Sequence, residues 1–469
     1  MKIEQIYTGC LAQGAYYIES EGEVAIIDPL RETAPYLEKA KDNNAKIKFI
    51  FETHFHADFV SGHVDLAQKT GATIIYGPTA ETNFPVHVAK DGEVFKLGKI
   101  SIEVLHTPGH TPESSTFLLK DENGKDYAIF SGDTLFIGDV GRPDLAVKSD
   151  LTREDLAGML FDSLRNKIMP LADELIVYPA HGAGSACGKN MSKETWDLLG
   201  NQKKTNYALR ADMTKAEFIT EVTTGITPPP QYFAQNAMMN KTGYEPLDEV
   251  MKTGNIPLDS ETFEAIANHE GALVLDTRSA EDFVTAHIPN SIFIGVDGSF
   301  APWVGALIAD LKQPIVFIAP EGRSEEVVLR LSRVGYDNTL GYLEGGIEAW
   351  QKAGKDVETL ESITAEEFAK RYKAGGLNVL DVRKPSEFAA EHVDGATNRP
   401  LDFINEELNK VDKTTPYHIH CAGGYRSVIF ASILKSRGYD QLVDVKGGFK
   451  DILETEIPVT DYVCPSTLK

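Results

Sequence analysis

The second half of the chain contains an internal repeat, and this feature limits the possible folds more than any other. VLDTRSAEDFVTAHIPNS, which begins at Val274, matches VLDVRKPSEFAAEHVDGA, which begins at Val379, at an offset of 105 residues. Further along, Arg323 aligns with Arg426, and GYD recurs at the same offset of 103. Because this period is too long for a solenoid unit, we predict two tandem domains of about 105 residues each.

The length of the chain leaves room for one more domain ahead of the repeat. It has 469 residues, which corresponds to roughly three domains at about 150 residues per domain. We expect a first domain at residues 1–191, followed by two domains at residues 256–355 and 356–469. Residues 192–255 have a polar helical pattern that three consecutive prolines interrupt. We expect this segment to be a helical and extended linker arm that covers the first domain.

The first 191 residues alternate strand patterns with helix patterns, which is typical of an α/β domain. Runs rich in Ile, Val and Phe predict buried strands, and these are EVAIIDP, IKFIFETH, TIIYGP, ISIEVLHTP, YAIFSGDT and ELIVYPAH. APYLEKAKDNN and TREDLAGMLFDSLRNKI predict helices. Polar side chains follow several of these strands, and they are His54, His110, Asp133 and His181. Since α/β folds place their sites at strand ends, we expect a functional site there.

Charge and hydropathy disfavour several classes of function. The chain carries 46 Lys and Arg against 70 Asp and Glu, a net charge of −24, which disfavours nucleic acid and anionic membranes as partners. No segment approaches the run of about 20 apolar residues that a membrane-spanning helix needs, and the N-terminal segment lacks the apolar run of a signal peptide. The 4 cysteines are too few for a disulfide framework. We expect a soluble cytoplasmic protein with individual reactive thiols.

The segment THFHADF carries the strongest local signal for a metal site. His54, His56 and Asp58 alternate along it, so in an extended turn their side chains project to one side. Taken alone, such a patch is often only a solvated turn. Three more motifs follow at strand ends, and they are HTPGHT, SGDT and YPAHG. This combination favours a metal site.

With these motifs in this order, residues 1 to about 190 resemble the metallo-β-lactamase superfamily. The resemblance implies an α/β fold with an αββα sandwich. Members usually carry HxHxDH, in which the last His and the Asp hold a second metal. Here Phe59 occupies the last position, and a phenyl ring cannot bind a cation as a ligand. This departure disfavours a dinuclear zinc hydrolase and favours one metal ion.

The branch of the superfamily that the sequence resembles most closely is the persulfide dioxygenases. This resemblance implies that His54, His110 and Asp133 hold a mononuclear Fe(II). Other polar residues of the motifs would then orient ligands and water, and they are His56, Asp58 and His181. Two imidazoles and one carboxylate leave open positions for substrate and O₂, which suits non-haem iron. A catalytic zinc site is the alternative, because sequence spacing does not separate iron from zinc.

Two residues near these motifs are candidates for substrate binding. Arg142, in GDVGRPDL, either faces an anionic substrate or pairs with Asp144, and we favour the ion pair. Cys187 lies in the glycine-rich segment HGAGSACGKN, whose small residues let a substrate approach the backbone closely. It either holds or senses a sulfur species or is a buried inert thiol, which is the more common role of a lone cysteine.

HIHCAGGYRSVIFASILKSRG contains the second candidate site. A predicted strand, PYHIH, leads into Cys421. A loop with Gly423 and Gly424 follows, and a helix begins near Ser427. These three residues are further candidates for substrate binding. The N–H groups of such a loop, the helix N-terminus and Arg426 all favour a thiolate over a thiol. A cysteine in this setting can accept a sulfur atom as a persulfide and pass it on.

CAGGYR resembles the active loop of rhodanese domains, and LDVR, EHVDGA and GYD match the usual motifs of that family. The resemblance implies three-layer α/β domains and sulfur transfer through Cys421, with Arg426 as a further catalytic residue. A phosphatase of the Cys-x₅-Arg kind is a related alternative, although this loop is one residue shorter. Counting back five residues from Arg323 gives Ile318 at the position of the cysteine in the first repeat. We therefore expect that repeat to be an inactive scaffold or interface domain.

Nearly the whole chain resembles fusions of a persulfide dioxygenase with an inactive and an active rhodanese domain. For such fusions the family implies that iron and O₂ oxidise a low-molecular-weight persulfide to sulfite in sulfide detoxification. The rhodanese cysteine then moves sulfur between persulfide, thiosulfate and sulfite, and self-association into a homo-oligomer is common. One alternative is a glyoxalase-type zinc thioester hydrolase fused to a sulfurtransferase. Another is a non-catalytic binding or scaffold protein that responds to sulfide. The sequence leaves open the thiol carrier and the direction of sulfur transfer.

Overall fold

The computed structural model describes residues 1–146 and 151–464, which form two compact units. The first unit contains residues 1–249 together with the short segment 331–335, and the second contains the rest of the described chain. The His- and Asp-rich motifs all lie in the first unit. Among the described residues, no helix is both long and apolar enough to cross a membrane.

The first unit begins with a six-stranded sheet whose strands lie side by side in chain order. They are β1 (Lys2–Thr8), β2 (Gln13–Ser20), β3 (Glu23–Ile27), β4 (Lys46–Glu52), β5 (Thr73–Tyr76) and β6 (His87–Val88). The first three strands are antiparallel to one another, and β3 to β6 are parallel. Three of the expected strands, EVAIIDP, IKFIFETH and TIIYGP, form β3, β4 and β5.

A second six-stranded sheet follows, with the strand order β12-β11-β10-β9-β8-β7. Its strands are β7 (Val94–Leu97), β8 (Ile100–His106), β9 (Ser115–Lys120), β10 (Asp126–Gly132), β11 (Ile176–Pro179) and β12 (Asp197–Leu198). All neighbours in this sheet are antiparallel except β10 and β11, which are parallel. The edge strand β12 lies where the sequence indicated a helix, because its residues pair with β11 and so extend the sheet.

The helices that precede the first repeat include those that connect these strands. They are α1 (Ala34–Asp42), α2 (His63–Thr70), α3 (Arg153–Ser163), α4 (Leu199–Thr205), α5 (Lys215–Thr223), α6 (Phe233–Thr242) and α7 (Leu247–Gly254). Helix α3 begins with a capping box of Thr152 and Asp155, and a π-helical turn, Leu164–Ile168, continues it. Helix α5 ends at Thr223, shortly before the three prolines.

The two sheets pack face to face, and helices cover their outer faces. Side chains of both sheets share one buried core, in which Tyr16 contacts Phe130 and Phe51 contacts Phe117, each pair with ring centroids 4.9 Å apart. A second cluster joins the first sheet to α1 and α2, and a third joins the second sheet to α3 and α5. This is the αββα sandwich that the resemblance implies.

In the second unit, the first repeat forms a parallel five-stranded sheet with the order β13-β17-β16-β14-β15. The strands are β13 (Pro257–Leu258), β14 (Leu273–Asp276), β15 (Ile292–Phe293), β16 (Ile315–Ile318) and β17 (Thr339–Leu343). The helices are α8 (Ser260–His269), α9 (Ala280–Thr285), α10 (Phe300–Leu307), α11 (Ser324–Ser332) and α12 (Gly346–Lys352). Every residue of β16 is fully buried, so this central strand is covered on both faces, as in a three-layer domain.

The second repeat forms an equivalent sheet with the order β18-β22-β21-β19-β20. Its strands are β18 (Glu361–Ile363), β19 (Asn378–Asp381), β20 (Thr397–Asn398), β21 (Tyr417–His420) and β22 (Leu442–Val445). Its helices are α13 (Ala365–Ala374), α14 (Pro385–Ala390), α15 (Ile404–Glu407), α16 (Arg426–Lys435) and α17 (Gly448–Ile452). Strand β21 therefore ends one residue before Cys421, and α16 begins at the end of the glycine-rich loop.

Candidate functional site

Three strand ends of the first unit bring His54, His110 and Asp133 together. His54 follows β4, His110 follows β8, and Asp133 comes directly after β10. All three side chains are buried, and one nitrogen or oxygen atom of each lies within 4.8 Å of the others. The Nε2 atom of His110 is 3.4 Å from Asp133 Oδ2, and that of His54 is 3.8 Å from the same oxygen. The residues that the resemblance assigns to the metal therefore surround one point.

Hydrogen bonds outside this cluster determine which ring nitrogens face it. The Thr53 hydroxyl donates to Asp28 Oδ2 at 2.8 Å, so it can only accept from His54 Nδ1, at 3.0 Å. The backbone carbonyl of Arg142 accepts from His110 Nδ1 at 2.8 Å. Both histidines therefore carry their proton on Nδ1 and present the lone pair of Nε2 to the centre.

The atoms at this centre are those that a metal ion would satisfy. Among the described residues, His54 Nε2 and both carboxylate oxygens of Asp133 are buried without a hydrogen-bond partner. Burial lowers the pKa of His54 well below its ordinary value, and the neighbouring histidines lower it further. A neutral imidazole beside an unpaired carboxylate is costly in a protein interior but is a good ligand set for a divalent transition metal. The three residues therefore fit a metal ion.

Glycines next to two residues of the first cluster allow other segments of the chain to approach closely. Gly132 has a φ of +53°, and a Cβ atom there would lie 2.6 Å from Thr53 Cβ. Gly109 has a φ of +146°, and its Cβ would lie 2.4 Å from the Cα of Leu160. Only glycine adopts such angles without strain, and a side chain at either position would clash with its neighbours. Both positions therefore require glycine.

The other polar residues of the motifs form a second group beside the first. Ligand-type atoms of His56, Asp58 and His181 also lie within 4.8 Å of one another, and all three side chains are buried. His181 Nε2 is 3.5 Å from Asp58 Oδ2 and 3.7 Å from Asp133 Oδ1. The ring of Phe59 lies 4.4 Å from that of His56. A phenyl ring therefore adjoins this second group, where the usual superfamily motif has a further imidazole.

The Nε2 atom of His56 faces carboxylates of the core, and its ring lies 4.2 Å from that of His54. His56 Nε2 is 3.1 Å from Asp28 Oδ1 and 3.6 Å from Glu52 Oε2. Burial lowers the pKa of His56, but the carboxylates of Asp28, Glu52 and Asp58 outweigh this effect and raise it to about 9.

Sequence analysis missed several buried residues that hold the metal-site loop. Asp28, directly after β3, accepts hydrogen bonds from both the backbone and the hydroxyl of Thr53. Asn240 of α6 donates to the backbone carbonyls of His56 and Phe59, each at 2.8 Å. The sequence did carry a signal for Asp28, since it follows a buried strand in the same way as Asp133. It carried none for Asn240.

The two candidates for substrate binding lie close to the site. Arg142 forms a bidentate ion pair with Asp144, at 2.6 and 2.7 Å, which is the interaction favoured from the sequence. Cys187 is buried, with its sulfur within 4.8 Å of ligand-type atoms of Asp133 and His181. Burial and the carboxylates of Asp58 and Asp133 raise the pKa of Cys187 well above its ordinary value. The structure thus places the sulfur of a cysteine beside the metal site.

The second candidate site surrounds Cys421 in the second repeat. The cysteine is 1% exposed and makes no disulfide. The backbone N–H of Gly424 donates to its sulfur at 3.1 Å, and the hydroxyl of Ser427 donates at 3.6 Å. Two donors of the loop and of the first turn of α16 thus face the sulfur, as the sequence predicts for an anion-stabilising loop.

Arg426 is tied to a carboxylate in this site. Its guanidinium binds Glu387 through two hydrogen bonds of 2.7 and 2.8 Å. Burial raises the pKa of Glu387, but Arg426 outweighs this effect and lowers it below its ordinary value. The equivalent Arg323 of the first repeat instead pairs with Glu326 and Asp297, both at 2.7 Å. The charge of Arg426 is therefore largely balanced within the resting site.

The first repeat contributes directly to the loop of the second. The Tyr425 hydroxyl donates to the backbone carbonyl of Gly295 at 2.8 Å. Its ring packs against Phe293, with centroids 5.7 Å apart, and lies so close to Gly298 that a Cβ there would be 2.4 Å from it. The loop that carries Cys421 is thus anchored on the other repeat.

Strand register corrects one prediction about the first repeat. Ile318 occupies the position in β16 that His420 occupies in β21, since each is paired with the last residue of the neighbouring strand. Ala319, and not Ile318, therefore corresponds to Cys421. Counting back from Arg323 failed because the first repeat has one residue fewer between its strand and the arginine. The first repeat still lacks a cysteine.

Comparison with known families agrees with both parts of this description. A model of the metallo-β-lactamase superfamily matches residues 8–181, and a rhodanese-like domain model matches residues 259–353 and 364–455. Hydroxyacylglutathione hydrolase GloC of Haemophilus influenzae is 30% identical over 212 residues, which cover 40% of this chain and 94% of that protein. The chain belongs to the metallo-β-lactamase superfamily. It carries a metallo-β-lactamase domain followed by two rhodanese-like domains.

One solved structure extends the similarity beyond the metallo-β-lactamase domain. A metallo-β-lactamase from Staphylococcus aureus subsp. aureus COL is 32% identical, with a TM-score of 0.64, and the match covers 73% of this chain and 98% of that chain. The mitochondrial persulfide dioxygenase ETHE1 of Homo sapiens is 30% identical, over 34% of this chain. The chain covers only 59% of that human protein. Hydrolases and dioxygenases of the superfamily are thus about equally similar in sequence.

Proposed function

We propose that the metallo-β-lactamase domain is an iron-dependent persulfide dioxygenase and that Cys421 transfers sulfane sulfur to and from its substrate and product. The substrate would be a low-molecular-weight thiol persulfide, oxidised by O₂ to sulfite. The observation that carries this proposal is the ring of Phe59 beside the second group of polar residues, at the position where dinuclear members have a ligand. The human persulfide dioxygenase among the relatives supports it.

The chemistry of the donor set favours one redox-active ion. His54, His110 and Asp133 provide two neutral imidazoles and one carboxylate, the set typical of non-haem Fe(II) oxygenases. His56 lies against Asp28 instead, which leaves the first group with three protein ligands. When bound, Fe(II) would supply the one-electron chemistry that activation of O₂ requires.

The surrounding residues orient the ligands and the substrate. Thr53 and the carbonyl of Arg142 hold the two imidazoles in the tautomer that presents Nε2. His181 and Asp58 lie on the Asp133 side of the cluster, where they can donate to or accept from a persulfide bound there. Because both side chains are buried, solvent would compete little with their hydrogen bonds to the substrate.

Sulfur transfer would take place at Cys421 by thiol–disulfide-type exchange. The thiolate attacks the sulfane sulfur of thiosulfate or of a persulfide, and the old S–S bond breaks with its electron pair on sulfite or on the leaving thiolate. The product is a Cys421 persulfide, which a second nucleophile resolves. The Gly424 N–H and the Ser427 hydroxyl would stabilise the anionic sulfur. A thiol persulfide would link the two reactions, because the dioxygenase consumes it and sulfur transfer at Cys421 can form it.

Oxygen uptake and sulfur transfer, measured on the same preparations, test this proposal. Iron-loaded protein should consume O₂ with glutathione persulfide or coenzyme A persulfide, and it should transfer sulfur from thiosulfate to cyanide. His110→Ala should abolish O₂ uptake and spare sulfur transfer, whereas Cys421→Ser should do the reverse. Each variant is the matched control for the other. Retention of both activities in either variant would show that the site is wrongly assigned.

A zinc-dependent thioester hydrolase is the second candidate. The group of His56, Asp58 and His181 favours it, because these residues resemble an incomplete second metal site, and a hydroxyacylglutathione hydrolase is among the relatives. Zinc-loaded protein assayed with a hydroxyacylglutathione thioester decides between the two. If zinc-loaded protein cleaves the thioester and iron-loaded protein consumes no O₂ with any persulfide, the hydrolase is favoured and the dioxygenase is overturned.

A further inference from the structure

Asp444 is a buried carboxylate next to the loop of Cys421. It lies on β22 with only 2% of its surface exposed, between Ile419 of β21 and Ser362 of β18. Helix α16, which begins at the end of the loop, packs on both β21 and β22. Cys421 comes two residues after Ile419, which is paired with Asp444, so the carboxylate lies near the start of the loop.

The contacts of Asp444 connect it to the cysteine through one hydroxyl. Ser362 Oγ donates to Asp444 Oδ2 at 2.7 Å, whereas Oδ1 is buried without a hydrogen-bond partner among the described residues. The fully buried hydroxyl of Ser427 donates to Cys421 Sγ at 3.6 Å, and it also lies close enough to Asp444 to lower the pKa of that carboxyl. Ser427 therefore lies near both the sulfur, to which its hydroxyl donates, and a carboxylate that has one unpartnered oxygen.

We propose that Asp444 accepts the proton of the Cys421 thiol through the hydroxyl of Ser427. This inference rests on the proposed sulfur transfer at Cys421. The thiol proton passes to Ser427 Oγ while Ser427 gives its own proton to Asp444. The thiolate then forms a bond to the sulfane sulfur of thiosulfate, and the S–S electron pair of thiosulfate leaves with sulfite. When a second nucleophile removes that sulfur, the Cys421 thiolate is restored and takes the proton back.

The first repeat provides an internal comparison. Strand register places Tyr342 at the position of Asp444 and Pro257 at the position of Ser362, since each pair faces the other across equivalent strands. The repeat without a cysteine thus also lacks the carboxylate and the hydroxyl that binds it.

The charges around Asp444 suit a proton acceptor near neutral pH. Burial raises the pKa of Asp444 to about 6, and the carboxylate of Glu281 acts in the same direction. The hydroxyls of Ser427 and Ser362 and the charge of Lys446 lower it. The carboxyl is therefore ionised at pH 7 yet basic enough to accept a proton when the thiol is attacked.

The rate of Cys421 alkylation by iodoacetamide, measured from about pH 5 to pH 9, tests the proposal without requiring sulfur transfer. Mass spectrometry of the peptide that contains Cys421 separates it from the other cysteines. The wild-type rate should rise through a pH of about 6 and then level off, because the reaction needs ionised Asp444. In Asp444→Asn the rate at pH 7 should fall about 100-fold, the low end of what a positioned base contributes, and should increase continuously with pH. An unchanged or faster reaction at pH 7 would overturn the proposal.

Two serine variants extend the test and keep it decisive if Asp444→Asn does not fold. Ser427→Ala should lose the inflection near pH 6, because the connection is broken. Ser362→Ala should keep it but move it to higher pH, since a hydrogen bond that stabilises the carboxylate is lost. If neither variant changes the profile, Asp444 is not the acceptor. Sulfur transfer from thiosulfate, measured on the same samples, distinguishes a failure of the proposed function from a failure of this inference. A wild-type protein without sulfur transfer would refute the proposed function, whereas an unchanged alkylation profile would refute the role of Asp444.

Discussion

Thr53→Val tests how the metal site obtains its binding form. The substitution keeps the shape of the side chain but removes a hydroxyl that donates to Asp28 Oδ2 at 2.8 Å and accepts from His54 Nδ1 at 3.0 Å. Both partners are buried, and each unsatisfied buried polar group costs about 1 to 3 kcal/mol. The free energy of unfolding should therefore fall by roughly 2 to 6 kcal/mol, the sum over the two groups.

The metal affinity should fall as well, because His54 is no longer held with its proton on Nδ1. Loss of such a supporting hydrogen bond typically weakens metal binding about 10- to 100-fold. Anaerobic competition for Fe(II) against a chromophoric chelator measures this directly, and urea denaturation measures the stability. Thr339→Val is the matched control, since that buried hydroxyl has no hydrogen-bond partner among the described residues. A Thr53→Val protein that binds Fe(II) within about twofold of wild type would refute the reasoning.

Other perturbations test the two sites and their support. Gly109→Ala should lower the free energy of unfolding by roughly 2 to 5 kcal/mol in urea, because it adds backbone strain and a clash with Leu160. Tyr425→Phe should reduce sulfur transfer and leave O₂ uptake unchanged, since it removes only the hydrogen bond to Gly295; equal loss of both activities would contradict this. The pKa of Asp444 is raised to about 6 in the folded state. The folded protein therefore binds this proton more tightly than the unfolded chain, and stability should fall by about 3 kcal/mol as the pH rises from about 4 to above 6. Asp444→Asn should flatten that part of the stability profile.

The buried cluster of His and Asp side chains was predictable from the sequence because each of its three residues follows a strand with a strong pattern of its own. His54, His110 and Asp133 lie directly behind runs of Ile, Val and Phe, and strand ends in this kind of fold meet at one edge. Cys421 was predictable for the same reason, since PYHIH and the glycine-rich loop are local signals. The internal repeat also gave the domain order correctly.

Residues whose role depends on contacts between distant segments could not be predicted. Asp28 supports the metal site only because β3 pairs with β4, which brings it against Thr53. Asp444 meets Ser362 across 82 positions of sequence, through the pairing of β22 with β18. The wrong assignment of Ile318 in place of Ala319 arose from a residue missing between strand and arginine. The pairing of residues between neighbouring strands reveals such a deletion, whereas counting residues back from the arginine does not.

The number of Fe(II) ions that the metallo-β-lactamase domain binds tests the central claim most directly. Anaerobic titration of the metal-free full-length protein, followed by removal of loosely bound ions and metal analysis, gives this number for wild type and for Phe59→His. One ion per chain in the wild type, with a second appearing when an imidazole replaces the phenyl ring, is the predicted result. Two tightly bound ions per wild-type chain would contradict it.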